Sequence, residues 1–373
     1  MSWEPEESRQ TQRTIKMTRD AYILLVVRPY RQCFNRKHTP TMIPIIRRVG
    51  RVLKHYLIFL TRRWIQLLVV IAMTMYLLSW VYPGRSFYYP QDRQVNRLGY
   101  KYITSPQNVC GGTNNPSVLI FVLSTAQAYA KRQAIRDTWG SVSRSGRWPS
   151  RRIPATVKVV YLFGHSREFT LIHRLQREAS VYGDILQIGI EESYGLHVTK
   201  KILMGFKWAR EHCPGTQHVM KVDDDVFVDL PQVLHRLQSP EWSSYLCGHV
   251  VLLSVTRRSG KYQLSFQEYP YILIPPYILG YFYVMPMDVS SKLVDVSEYV
   301  PYLRMEDVYI TAILSRMIKV QIKGFQTFFS DRNYDVDTCD FVSQRRDASV
   351  DVSPDKMYLV WKTYSDDNIC KYV

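Results

Sequence analysis

The chain has 373 residues, 46% of them hydrophobic and 22% charged, with a formal net charge of +17. This composition excludes a disordered or low-complexity chain, and the length allows one large domain with appendages. The charge is uneven: residues 1–63 hold 14 Lys/Arg against 4 Asp/Glu, a net of +10, and the remainder is only mildly basic. Because the basic excess sits in the leader with few aromatics between the charges, a nucleic-acid partner is not expected.

The reason for the asymmetry follows directly. Trp64 to Tyr82 (WIQLLVVIAMTMYLLSWVY) carries no charge and spans about 28 Å as a helix, close to the hydrocarbon thickness of a bilayer. Arg62-Arg63 abuts its N-terminal side, so the positive-inside rule places residues 1–63 in the cytosol and residue 83 onward across the membrane. A cleaved signal peptide fits poorly, because the run is too long and lies too deep in the chain. Cys33 then stays reduced, whereas Cys110, Cys213, Cys247, Cys339 and Cys370 face an oxidising compartment. Five is odd, so at least one is unpaired or pairs between chains. The expected organisation is a basic tail (1–63), a signal anchor (64–82), a polar, proline-bearing stem (83–109) and a catalytic domain (110–373).

From Ser117 the pattern alternates. Ser117–Leu123, Val157–Phe163 and Ile185–Ile190 read as strands, with helices over Gln127–Trp139 and Phe169–Ser180. A longer helix shows Ile202, Leu203, Phe206 and Ala209 on its apolar face and stops at Cys213-Pro214-Gly215. A strand from His218 follows. This alternation predicts a three-layer α/β domain with a mostly parallel sheet, whose ligands gather at the carboxyl ends of the strands.

That last strand delivers three consecutive carboxylates, Asp223-Asp224-Asp225, out of Met220-Lys221-Val222. Adjacent carboxylates repel, so the cluster is either a solvated acidic turn or a seat for a divalent cation with hard oxygen ligands. Four other motifs accompany it. Arg132 and Arg136, spaced i, i+4 on one helix face, either meet a diphosphate or a uracil carbonyl or form a solvated basic face. Glu191-Glu192-Ser193-Tyr194 is followed by Lys200. Tyr271–Val284 (YILIPPYILGYFYV) is aromatic, with Gly280 permitting tight backbone. Glu306-Asp307 precedes a helical apolar stretch, Val308–Met317, where a carboxylate is either a cap or a general base.

In this order the five motifs resemble the β-1,3-glycosyltransferases (glycosyltransferase family 31), which include the β-1,3-galactosyl- and β-1,3-N-acetylglucosaminyltransferases. The resemblance runs from about Val118 to Asp307, and more weakly beyond. It implies a GT-A-type α/β nucleotide-sugar-binding domain and a type II Golgi membrane protein using a UDP-sugar with Mn²⁺ or Mg²⁺. In that scheme Asp225, with Asp223, looks like the metal ligand, and Asp223 and Asp224 lie near the ribose and the metal's water shell. Arg132, Arg136 and Lys200 resemble the donor pocket, and Asp307, with Glu306 second, the catalytic base. The implied activity is inverting transfer of galactose, or failing that N-acetylglucosamine, to a glycan on lipid or protein, in a β-1,3 linkage. An inactive relative serving as partner or chaperone of another transferase is the alternative, and self-association is left open. Three positions depart from the pattern: Val350 stands where many relatives carry a histidine, the sequon after Tyr194 is gone, and Phe282 replaces a glycine.

Overall fold

A computed structural model describes residues 43–81, 90–107, 109–110, 115–149, 151–325, 328–329, 338–366 and 370. The tail to residue 42 with Cys33, Tyr82 and the first part of the expected stem (83–89) lie outside the described residues. The chain divides into two units, 1–68 and 69–373. Helix α1 (Ile43–Val81) has 39 residues, about 58 Å at the α-helical rise. Its part from Arg47 to Val81 is long and apolar enough to cross a membrane, and none of the apolar window is buried in protein.

The strands of the main sheet are, in chain order, β1 (Tyr102–Thr104), β2 (Val118–Leu123), β3 (Val157–His165), β4 (Ile185–Glu191), β5 (His218–Asp223) and β6 (Leu246–Val251). A small hairpin, β7 (Ser254–Val255) with β8 (Leu273–Ile274), follows. The main sheet is completed by β9 (Tyr277–Pro286) and β10 (Ile322–Gly324). Their spatial order is β1-β4-β3-β2-β5-β9-β6-β10. Strands β4, β3, β2 and β5 run parallel, and β9 enters antiparallel between β5 and β6. This is the α/β architecture with a mostly parallel central sheet that the sequence alternation predicts.

Strand β2 shows why the sheet is covered on both faces. Leu119 and Phe121 belong to one buried cluster and Val118, Ile120 and Val122 to the other, as the period of two requires. The first cluster packs under α4 (Leu196–His212), whose Ile202, Leu203, Phe206 and Ala209 are all buried. The second packs under α2 (Tyr129–Asp137), which supplies Ala134 and Ile135. Between these two in chain order, α3 (Phe169–Tyr182) ends at Gly183, whose φ of 64° lies in the left-handed region that glycine adopts freely.

One expectation is corrected. Residues 90–107, expected as part of the stem, are built into the domain. Gln91 and Val95 N–H groups donate to Tyr299 and Glu298 (both 2.8 Å), Leu98 is buried, and β1 adds an antiparallel edge strand beside β4. A three-residue strand is too short to show alternation, which is why the sequence pattern hid it. Cys110–Cys213 closes a separation of 103 residues and Cys339–Cys370 one of 31, leaving Cys247 as a buried thiol. Removing the first bridge (Cys110→Ala with Cys213→Ala) is expected to cost about 2–4 kcal/mol, read as a lower denaturant midpoint of the detergent-solubilised protein under oxidising conditions.

Candidate active site

Strand β5 ends in Lys221-Val222-Asp223. The period of two puts Lys221 and Asp223 on one face, and the Lys221 ammonium donates to Asp223 Oδ1 at 2.6 Å. Asp224 Oδ2 accepts from Ser124 Oγ at 2.7 Å. Lys131 Nζ bridges the triplet, 3.1 Å from Asp224 Oδ1 and 3.0 Å from Asp225 Oδ2. Burial raises the Asp224 carboxyl above its usual range, despite the opposing pull of Ser124 and Lys131.

The opposite wall comes from the antiparallel seam. In β9, Tyr283 pairs with Lys221 across the ladder, and the Gly280 carbonyl accepts from the Lys221 ammonium. The Gly280 N–H donates to Asp307 Oδ2 at 3.2 Å, and Val308 N–H donates to Asp307 Oδ1 at 2.8 Å. A side chain at position 280 would start 3.2 Å from Asp307 Cβ and 3.4 Å from Glu306 Oε2, so it would have to push these two residues aside by a few tenths of an ångström. Asp307 caps a π-helical segment, Val308–Leu314, that continues into one α-turn, Ser315–Met317. The expected helix is present, in the wider form that recurs at functional sites.

Both walls line one cleft of about 810 Å³, which holds Asp223, Asp224, Asp225, Glu306 and Asp307 together with Tyr194 and Lys201. The two carboxylate groups read from sequence therefore share a cavity at the carboxyl end of β5. Burial raises Asp307 above the ordinary aspartate value, against its two backbone N–H partners and Lys221. Glu306 is pushed up to about 7, chiefly by burial, with Lys221 opposing. Its second oxygen accepts from the Tyr283 hydroxyl. The native state thus holds more protons than the unfolded chain between the ordinary glutamate value and about pH 7, so this contribution to stability is full in acid and is lost as pH rises toward 7. Glu306→Gln is expected to flatten that fall, measured as the melting temperature across the interval.

Comparison with known proteins places the chain in a family. A family model described as galactosyltransferase matches residues 130–326, more than half of the chain. The chain belongs to the galactosyltransferase family. Relatives include the UDP-GalNAc:beta-1,3-N-acetylgalactosaminyltransferase 1 of Mus musculus, 28% identical over 294 residues (76% of this chain, 85% of the relative). Beta-1,3-galactosyltransferase 5 of Pan paniscus is 29% identical over 248 residues (65% and 76%). The expected kinship with β-1,3-glycosyltransferases is borne out. A solved mannosyltransferase from Pyrobaculum calidifontis, in complex with GDP-Man and Mn2+, overlaps at 13% identity and a TM-score of 0.31, covering 61% of this chain and 59% of its own; a likeness that weak carries no argument about the site.

Within this family member, three expected donor-pocket residues stand elsewhere. Arg132 is buried and pairs with Glu178 through two nitrogens, Nε–Oε1 at 2.8 Å and Nη2–Oε2 at 2.6 Å. Arg136 pairs with Asp184 at 2.9 Å and with Glu178 at 2.7 Å. The shared helix face is real, but it turns inward onto carboxylates from α3 and the start of β4's approach, and none of these groups lines the cleft. Arg132 reaches the site only at second hand, donating to Ser124 Oγ (3.1 Å), which in turn holds Asp224. Lys200 points to the Tyr100 and Tyr302 rings, 5.9 and 5.5 Å away. Its neighbour Lys201, about 100° further round α4, faces the cleft instead and pairs with Glu192 at 2.5 Å; burial lowers its ammonium below the usual lysine range, with Glu192 opposing.

Sequence reasoning missed Lys131, Lys201, Lys221 and Tyr283. Lys221 was readable in principle from its same-face spacing to Asp223. The departures resolve as follows. Phe282 is fully buried beside Phe325, so its bulk stays out of the cleft. Val350 is buried, yet Val352 N–H donates to the Asp225 carbonyl at 2.9 Å, which brings the 350–352 segment beside the triplet.

The carboxylates suit a divalent ion. Among the described residues no three His, Cys, Asp or Glu side chains converge to enclose a metal by themselves. Asp223 and Asp225 are each about a third exposed toward the cleft, and the Lys131 ammonium already sits where a cation is stabilised. Such a donor set fits an ion that takes one or two carboxylates and completes its shell with phosphate oxygens and water.

Proposed function

We propose that the protein is an inverting β-1,3-glycosyltransferase that moves a hexose from a UDP-sugar to a glycan hydroxyl. The observation that carries this is the shared cleft: the acidic triplet and Asp307 both line it. Asp223 and Asp225 would hold Mn²⁺ or Mg²⁺, and when bound the ion supplies Lewis-acid neutralisation of charge on the leaving diphosphate. Asp307 takes the proton of the acceptor hydroxyl as it displaces the nucleotide in line, turning an α-linked donor into a β-linked product. Glu306, engaged by Tyr283, keeps a positioning role. A smaller pocket of about 280 Å³ adjoins the cleft through Gln127 and Glu192. Its apolar floor of Leu171, Ile172 and Leu175 suits a flat nucleobase. The names of the relatives favour a galacto-configured donor, UDP-galactose or UDP-N-acetylgalactosamine. Helix α1 suits a type II anchor in the Golgi membrane, with the cleft lumenal. The inactive-partner alternative draws no support, since every carboxylate the reaction needs is present and faces the cavity.

The test is a UDP-release assay on the full chain in detergent with Mn²⁺, glycan acceptors, and UDP-galactose, UDP-N-acetylgalactosamine or UDP-N-acetylglucosamine. One sugar is expected to turn over, and Asp225→Ala is expected to lower that rate by at least about 10². Absence of UDP release with all three would defeat the proposal.

A further inference from the structure

The hairpin between β7 and β8 is firmly tied yet wears its apolar side chains outward. Thr256 N–H donates to the Ile272 carbonyl at 2.7 Å, and the Arg258 guanidinium donates to the carbonyls of Leu264, Tyr269 and Tyr271 at 2.6–3.0 Å. Leu264 and Tyr269 point into the core. Leu252 (74% exposed), Leu253 (73%), Phe266 (68%) and Ile272 (48%) point away from it. A rigid frame that holds large apolar groups in water is costly unless something covers them.

Two further observations identify the cover. The segment 252–272 carries Arg257, Arg258 and Lys261 against one acid, Glu268, a balance suited to anionic headgroups. The Ile272 N–H also donates to the carbonyl of Trp80 at 3.4 Å, one residue from the end of α1. The patch is therefore continuous with the point where the apolar helix ends. We infer that hairpin 252–272 rests on the bilayer surface, with Leu252, Leu253 and Phe266 dipping into it and Arg257 and Lys261, rather than the internally bonded Arg258, at the headgroups. This rests on reading α1 as a membrane anchor. Because Val255, Arg257 and Lys261 also line the cleft, the arrangement opens the acceptor side toward glycans carried on lipid.

The test uses the full chain with Cys33→Ser, reconstituted in phosphatidylcholine–phosphatidylserine nanodiscs and labelled with an environment-sensitive fluorophore at Leu253→Cys, Phe266→Cys or, as control, Val181→Cys. Val181 is exposed on α3, about 15 Å along the helix from its pocket-lining start. The native Cys247 is buried, with its thiol pushed up to about 12, and does not compete for label. An acyl-chain nitroxide lipid is expected to quench positions 253 and 266 severalfold more than 181. Labels at 253 and 266 that respond only to a water-soluble quencher overturn the inference, as do labels shielded from both quenchers, which would mean a second protein copy covers the patch. Protein that does not enter the nanodisc overturns the anchor reading and this inference together. None of these readouts depends on transfer activity.

Discussion

Asp307→Asn is expected to lower kcat by about 10²–10⁴ while leaving donor binding nearly intact. The asparagine keeps the size of the side chain and can still accept from Gly280 or Val308, but it has no basicity to offer an acceptor hydroxyl. Donor affinity, measured by calorimetry with UDP, separates this outcome from a collapsed site. The wild-type kcat/KM should rise with pH through an acid limb set above the ordinary aspartate value, because Asp307 must be ionised to act and burial raises its pKa. Titration of kcat/KM against pH checks the limb. A variant that keeps wild-type kcat, or loses donor binding in step with kcat, would remove Asp307 from the role of base.

Glu178→Ala is expected to destabilise the protein by about 3–5 kcal/mol, since it leaves two buried arginines short of a partner. Glu178 lies outside the cleft, and its carboxyl is held below the usual range because Arg132 and Arg136 outweigh the cost of burial. The measurement is the shift in chemical denaturation midpoint. If the two arginines served mainly to bind the donor diphosphate, the same substitution would free them for it and stability would scarcely move.

The strand and helix alternation was legible because buried parallel strands are continuous apolar runs and the helices show a clear 3.6 period; Val118–Leu123 and Ile202–Ala209 are examples. The acidic triplet and Asp307 were legible because carboxylates clustered at element ends need a reason. Arg132 and Arg136 illustrate the limit. Helical spacing says that two residues share a face, and nothing in the sequence says whether that face meets solvent, substrate or Glu178, 46 residues beyond Arg132. Lys200 against Lys201 shows another limit: a single step along a helix moves a side chain from the cleft to an aromatic pair, finer than a periodicity estimate resolves. The edge strand at Tyr102–Thr104 was hidden because three residues hold no pattern.

Lys221 touches Asp223 on one side and the Gly280 carbonyl on the other, within hydrogen-bonded neighbours β5 and β9. The wall that carries the acidic triplet and the wall that carries Glu306 and Asp307 are thus stitched along one ladder, and their spacing is set by strand register. Under the proposed mechanism, sequence divergence in the surface hairpin would alter which alcohol arrives without disturbing how far it must travel to react.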